Sequence, residues 1–153
     1  MKVMFVCTGN ICRSAMAHHL FERKIQEKGL ANIEVFSCGI FAQEGERPTR
    51  HAKKVMENYH VSMENHRATP VEKSKIEQMD LILCATKAHK ASLIQRYPEL
   101  RSKIVTMKEY AEYPETDWDI EDPWGQSIEM YQESAKQIEK VLDKLLEKIV
   151  DNQ

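Results

Sequence analysis

The sequence predicts a small doubly wound α/β domain, with helices on both faces of a parallel sheet. Three observations carry this reading. Short, nearly continuous apolar runs recur along the chain, and stretches of helical periodicity separate them, which is the order of parallel βαβ crossovers. The third observation is size: 153 residues, 42% hydrophobic and 30% charged, with 5 Gly and 5 Pro, describe one domain over 1–153 that buries enough surface to fold without disulfide or structural metal.

Val3-Met4-Phe5-Val6 is apolar throughout and ends at Cys7, as a strand buried on both faces does. A Gly-Asn turn follows. From Ser14 the residues Met16, Ala17, Leu20, Phe21 and Ile25 keep helical spacing until Gly29 offers a stop. Ile33 to Cys38, centred on Val35 and Phe36, is the second strand. Pro48 opens a helix with Ala52, Val55, Met56 and Tyr59 on one side. Thr69-Pro70-Val71-Glu72 fits a capping box and predicts a short helix. Leu81-Ile82-Leu83-Cys84 and Ile104-Val105-Thr106 are the third and fourth strands, and Lys87 to Tyr97 between them is a helix that Pro98 ends. Ile128, Tyr131, Ala135, Ile138, Leu142, Leu145 and Ile149 form one stripe of a long helix, read as core packing rather than a coiled coil. Ligands of such sheets bind at the carboxyl ends of the strands, where Cys7 stands.

Composition narrows the function. The 22 basic and 24 acidic side chains are scattered and leave a net charge of -2, so neither nucleic acid nor a membrane surface is an expected partner. No apolar run approaches the roughly 20 residues of a membrane span, and no secretory signal is expected at the amino end. Cys7, Cys12, Cys38 and Cys84 then read as reduced thiols of a cytoplasmic protein, a monomer by default.

The segment Cys7-Thr8-Gly9-Asn10-Ile11-Cys12-Arg13-Ser14 joins the first strand to the first helix. Backbone N–H groups of a tight loop, with the unpaired N–H groups of the following helix, converge on a tetrahedral anion. Gly9 and Asn10 tolerate the left-handed backbone such a curl needs. Arg13 adds a planar fork for two phosphate oxygens. The same field favours Cys7 as a thiolate, to which the Ser14 hydroxyl can donate. A nucleotide-binding Walker loop is excluded by the lack of Gly-Lys-Ser/Thr, and the spacing of Cys7 and Cys12 disfavours a thioredoxin-like pair.

Attack by a thiolate on phosphorus needs an acid for the departing group and then a base for water. The candidates are Asp117, Asp119, Glu121 and Asp122. Asp122-Pro123-Trp124-Gly125 is the distinctive one, since proline stiffens the loop and the indole can stack on a substrate.

With CTGNICRS at residues 7 to 14, Ser37-Cys38-Gly39, His66-Arg67 and Asp122-Pro123, the chain resembles the low-molecular-weight protein tyrosine phosphatase family over nearly its whole length. The resemblance implies a four-stranded parallel sheet and hydrolysis of phosphorylated protein without metal or cofactor. It implies Cys7 as nucleophile, Arg13 as phosphate clamp and Asp122 as general acid, with Asn10 held by hydrogen bonds that include Ser37 and His66. Residues 8 to 12 and Ser14 shape the phosphate site. Ala15 departs from the family's usual proline. Gly39-Ile40-Phe41-Ala42, Met107-Lys108-Glu109-Tyr110 and Ser127-Ile128-Glu129-Met130-Tyr131 look like the bacterial branch that includes protein arginine phosphatases. There the position of Ile11 is typically threonine. An isoleucine gives a phenyl ring an apolar contact and a guanidinium nothing to bond, so the sequence favours phosphotyrosine, with phosphoarginine as the alternative. Ile11, Phe41 and Trp124 are the expected cleft walls. Cys12 is either a buried filler or a thiol that captures oxidised Cys7. An arsenate reductase with Cys84 as resolving thiol, or a non-catalytic phosphate-binding module, completes the alternatives.

Overall fold

A computed structural model describes residues 1–152. Four parallel strands, β1 (Lys2–Cys7), β2 (Glu34–Gly39), β3 (Leu81–Cys84) and β4 (Ile104–Thr106), form one sheet in the order β2-β1-β3-β4. The helices are α1 (Arg13–Glu27), α2 (Arg50–Asn58), α3 (Lys87–Arg96), α4 (Met107–Tyr110) and α5 (Ile128–Asp151). No helix among the described residues is long and apolar enough to cross a membrane.

The uninterrupted apolar runs have a direct cause. Val3 and Phe5 face a core built with α1, α2 and α5, while Met4 and Val6 face a second core on the opposite side with Ile82, Leu93 and Ile104. Both faces are therefore covered by helices or turns. The α5 stripe packs into the first core, where Tyr131, Ile138, Leu142 and Leu145 are buried. Cys38 and Cys84 are sealed in the second core, and burial pushes the Cys38 thiol up to about 12 and that of Cys84 up as well. Cys84 is thus an inert filler rather than a resolving thiol.

Strand order reverses at β1, whose neighbours are β2 on one side and β3 on the other. The crevice beyond the carboxyl end of β1 is the switch point where doubly wound sheets take ligands. Cys7 ends the strand there, in register with Gly39.

Several elements differ from the sequence reading. Thr69 caps no helix: a 3-10 turn over Val71–Lys73 follows Pro70, and the Thr69 N–H instead donates to Asn10 Oδ1 while its carbonyl accepts from Gly39 N–H. Its backbone serves the phosphate loop, so the turn starts later. Thr49 rather than Pro48 initiates α2, its hydroxyl accepting from Ala52 N–H. The capping box that does form joins Thr106 and Glu109 at the start of α4. Pro98 begins a further 3-10 turn that reaches Lys103.

Candidate active site

The loop after β1 is held by one buried side chain. Asn10 adopts a left-handed φ of 57° with no exposed surface. Its Nδ2 donates to Ser14 Oγ at 2.8 Å, its Oδ1 accepts from Thr69 N–H at 3.0 Å, and its carbonyl accepts from His66 Nε2 at 2.7 Å. A carbonyl only accepts, so His66 carries its hydrogen on Nε2. Burial pushes that imidazole down to about 4, with His19, His18 and Arg67 adding to the effect against the bond to Asn10, so it is neutral at neutral pH.

Because Asn10 donates to Ser14, the Ser14 hydroxyl hydrogen is free for the Cys7 sulfur 2.9 Å away. The Ser14 backbone N–H reaches the same sulfur at 3.4 Å. Two donors thus meet on one sulfur at the start of α1. The loop also presses on β2: Ile40 and Phe41 N–H donate to the carbonyls of Cys7 and Thr8 at 3.0 and 2.9 Å.

Arg13 is 4% exposed. Its Nη1 donates to the Ile120 carbonyl at 2.8 Å, its Nη2 lies 3.4 Å from Asp122 Oδ2, and its buried Nε has no partner among the described residues. The guanidinium is thus pinned at one corner, with an N–H pair left to grip an oxyanion.

The acidic segment is tied across the strand ends by Ile120 N–H to the Ala85 carbonyl and by Ser134 Oγ to the Glu121 carbonyl. That anchoring separates the four carboxyl candidates. Asp117 pairs with Lys108 at 2.9 Å, Asp119 accepts from Lys87 N–H at the start of α3, and the Glu121 side chain is exposed away from the cavity wall. Only Asp122 reaches it. Its Oδ1 accepts from Trp124 N–H at 3.1 Å and its side chain remains 49% exposed.

Together Cys7, Thr8, Gly9, Ile11, Cys12, Arg13, Asp122 and Trp124 enclose a cavity of about 200 Å³. It has a thiol floor, a guanidinium, a carboxyl at the mouth and an apolar wall of Ile11 and Trp124. Such a hollow suits phosphoryl transfer to sulfur with an acid at hand for the leaving group.

Two expected contacts are corrected. Ser37 does not support Asn10 directly; its hydroxyl is 2.6 Å from His18 Nδ1, because β2 presents it to α1. Phe41 does not line the cavity and is 81% exposed, since its N–H, not its ring, is turned to the loop. Cys12 lies beside Tyr131 OH and Thr49 Oγ1 at 3.4 and 3.6 Å, and burial pushes its thiol up to about 11.

Sequence reasoning missed His89 and the second role of Tyr131. His89 Nε2 is 2.8 Å from Thr8 Oγ1 and its Nδ1 is 2.9 Å from Thr86 Oγ1. Burial, with Arg13 nearby, pushes His89 down to about 4. The Thr86 cap of α3 was a readable signal for that placement; Tyr131 gave none, since its place in an apolar stripe accounts for it fully.

Known proteins are similar to this chain over nearly its whole length. The family model for low molecular weight phosphotyrosine protein phosphatase matches residues 2–153. A protein-arginine-phosphatase of Geobacillus stearothermophilus is 38% identical over 99% of this chain and 98% of its own. The low molecular weight protein-tyrosine-phosphatase PtpB of Staphylococcus epidermidis is 30% identical over 95% of this chain and 96% of its own. Among solved structures, a C7S mutant of YwlE arginine phosphatase with a phosphorylated active-site serine superimposes with a TM-score of 0.94 at 33% identity, covering 100% of this chain and 98% of that one. With the cysteine loop, the buried arginine and the carboxyl all brought to one hollow, the chain belongs to the low molecular weight phosphotyrosine protein phosphatase family and is a cysteine-dependent phosphatase.

Proposed function

We propose that this phosphatase acts on phosphoarginine in proteins. The observation that carries the reading is the similarity, nearly end to end, to two proteins named protein-arginine-phosphatase, at 38% and 35% identity, while the relatives named tyrosine phosphatase range from 30% for PtpB to 38% for a solved structure from T. tengcongensis. The pocket is compatible. Trp124 lines the cavity and supplies an indole on which a guanidinium can stack, and the half-exposed Asp122 carboxyl is at hand where a guanidine nitrogen would depart.

In this reading the Cys7 thiolate attacks phosphorus, forming an S–P bond as the P–N bond breaks. Asp122 gives its proton to the leaving guanidine nitrogen. Arg13 and the loop N–H groups take up the charge on the phosphoryl oxygens. Asp122, now a carboxylate, removes a proton from water whose oxygen attacks the phosphocysteine; the S–P bond breaks, and Ser14 Oγ–H stabilises the returning thiolate. The chemistry needs no metal or cofactor. The chain would work as a monomer on phosphoproteins in the cytoplasm.

Phosphotyrosine is the second reading, and Ile11 favours it. At the cavity wall an isoleucine contacts a phenyl ring and offers no hydrogen bond to a guanidinium. Such a difference is worth about 1–3 kcal/mol, which biases a choice without fixing it. Parallel kinetics on matched peptides decide: kcat/KM is expected to be higher for phosphoarginine, and a higher value for phosphotyrosine would reverse the assignment.

Asp122→Asn tests the acid. It is expected to lower kcat about 10² to 10⁴-fold on a phosphopeptide whose leaving group needs a proton, and far less on an aryl phosphate with a good leaving group. Equal losses on both would place the acid elsewhere.

A further inference from the structure

Beside the phosphate loop, and outside its cavity, three imidazoles from two segments converge. His18 and His19 project from α1, and His66 from the segment before Thr69. One ring nitrogen of each lies within 4.8 Å of the others. The His18 and His19 rings stack with centroids 4.3 Å apart, and the His66 ring stands edge-on to His19 at 4.9 Å.

One of the separations already suits a small ion, and the others come within reach of one when His18 closes in. Zinc–nitrogen bonds of about 2.0–2.1 Å place tetrahedral ligands roughly 3.3 Å apart. His19 Nε2 and His66 Nδ1 are already 2.8 Å apart, so an ion would take the place of the hydrogen between them with a small opening of the pair. His18 must close in by rotation of its ring.

The outward nitrogens are also placed as metal-bound histidines need. His66 Nε2 donates to the Asn10 carbonyl at 2.7 Å, and His19 Nδ1 faces Glu22 Oε1 at 3.2 Å. His18 has Ser37 Oγ at 2.6 Å on one nitrogen and Glu22 Oε1 at 3.6 Å on the other, so either nitrogen can turn to an ion and leave its partner supported. A carbonyl or carboxylate behind each ligating imidazole orients the ring and raises its basicity. Imidazoles with one nearby carboxylate suit borderline ions such as zinc, whereas calcium and magnesium take oxygen cages.

We propose that His18, His19 and His66 form a binding site for a divalent transition-metal ion of the zinc class, with Glu22 behind the ligands and one position open to water. The site is separate from the phosphate cavity and communicates with it through His66 and the Asn10 carbonyl. It ties α1 to the segment that carries His66, so a bound ion also raises thermal stability. The inference is independent of which phosphorylated residue is the substrate.

Zinc titrated into the intact protein by calorimetry, alongside Cys7→Ser, tests this. One equivalent is expected to bind in both, and affinity is expected to fall at least about tenfold in His18→Gln and in His19→Gln, each checked for fold by circular dichroism. Cobalt on the unsubstituted protein gives a reading that no variant needs to survive: visible bands of a nitrogen and oxygen site without sulfur-to-cobalt charge transfer. Absence of saturable binding, binding lost in Cys7→Ser, binding unchanged in both folded histidine variants, or sulfur charge-transfer bands would each overturn the proposal.

Discussion

Arg13→Lys is expected to lower kcat by about 10³-fold while the protein keeps its fold. Lysine keeps the charge but loses the planar fork, and removal of a single donor aimed at a developing oxyanion costs about 10² to 10³-fold. Here more than one donor is at stake. Arg13 Nη1 is committed to the Ile120 carbonyl at 2.8 Å, which fixes the plane of the guanidinium and leaves the buried Nε and the neighbouring Nη2 to bond oxygen. An ammonium on a flexible stem cannot present that pair, and it also releases the acidic segment from the loop. Steady-state kinetics with an aryl phosphate, with circular dichroism as the control for folding, measure the loss. A decrease below tenfold would remove Arg13 from the transition state.

Gly39→Ala carries the second large effect, through a residue with no chemistry of its own. A Cβ at position 39 would lie 2.5 Å from the Thr8 carbonyl and 2.9 Å from both Asn10 N and Ala42 Cβ. Two of these neighbours are backbone atoms of the phosphate loop, so no rotamer change relieves the contact. Either β2 moves off β1, where Gly39 is in register with Cys7, or the loop opens. Overpacking of this kind costs about 1–3 kcal/mol, and a misplacement of about 1 Å at a reacting centre costs about 10²-fold in rate. Both changes are expected: a lower urea midpoint and a fall in kcat/KM of that order. Retention of midpoint and rate would show that the contact between β2 and the loop does not shape the cradle.

How legible the molecule was in its sequence follows from what each signal reports. The run from Val3 to Val6 announced a strand buried on both sides, and alternate residues do enter two separate cores. The loop from Cys7 to Ser14 was readable because phosphate chemistry constrains every residue type in it. Thr69 misled because its backbone groups were claimed by Asn10 and Gly39, partners distant in sequence that outweigh a local capping preference. Thr106 and Glu109 formed the real box, hidden behind an apolar run that read as strand alone. Ser37 and Phe41 were aimed wrongly: strand phase turns the Ser37 side chain to α1, and Phe41 lies in the turn after β2 with its ring in solvent, neither of which a short motif reports. The histidines of α1 left no mark, because adjacent imidazoles on a helix look like ordinary surface residues until His66 arrives from another segment.

The chemistry rests on covalent transfer of phosphate to Cys7. Rapid acid quench of the enzyme during turnover of a phosphopeptide, followed by peptide mass spectrometry, reads that step. One phosphoryl group on the peptide containing Cys7, absent in Cys7→Ala, is the predicted result; turnover without any phosphoenzyme, or a phosphoryl group mapped to another residue of the unsubstituted protein, would contradict it.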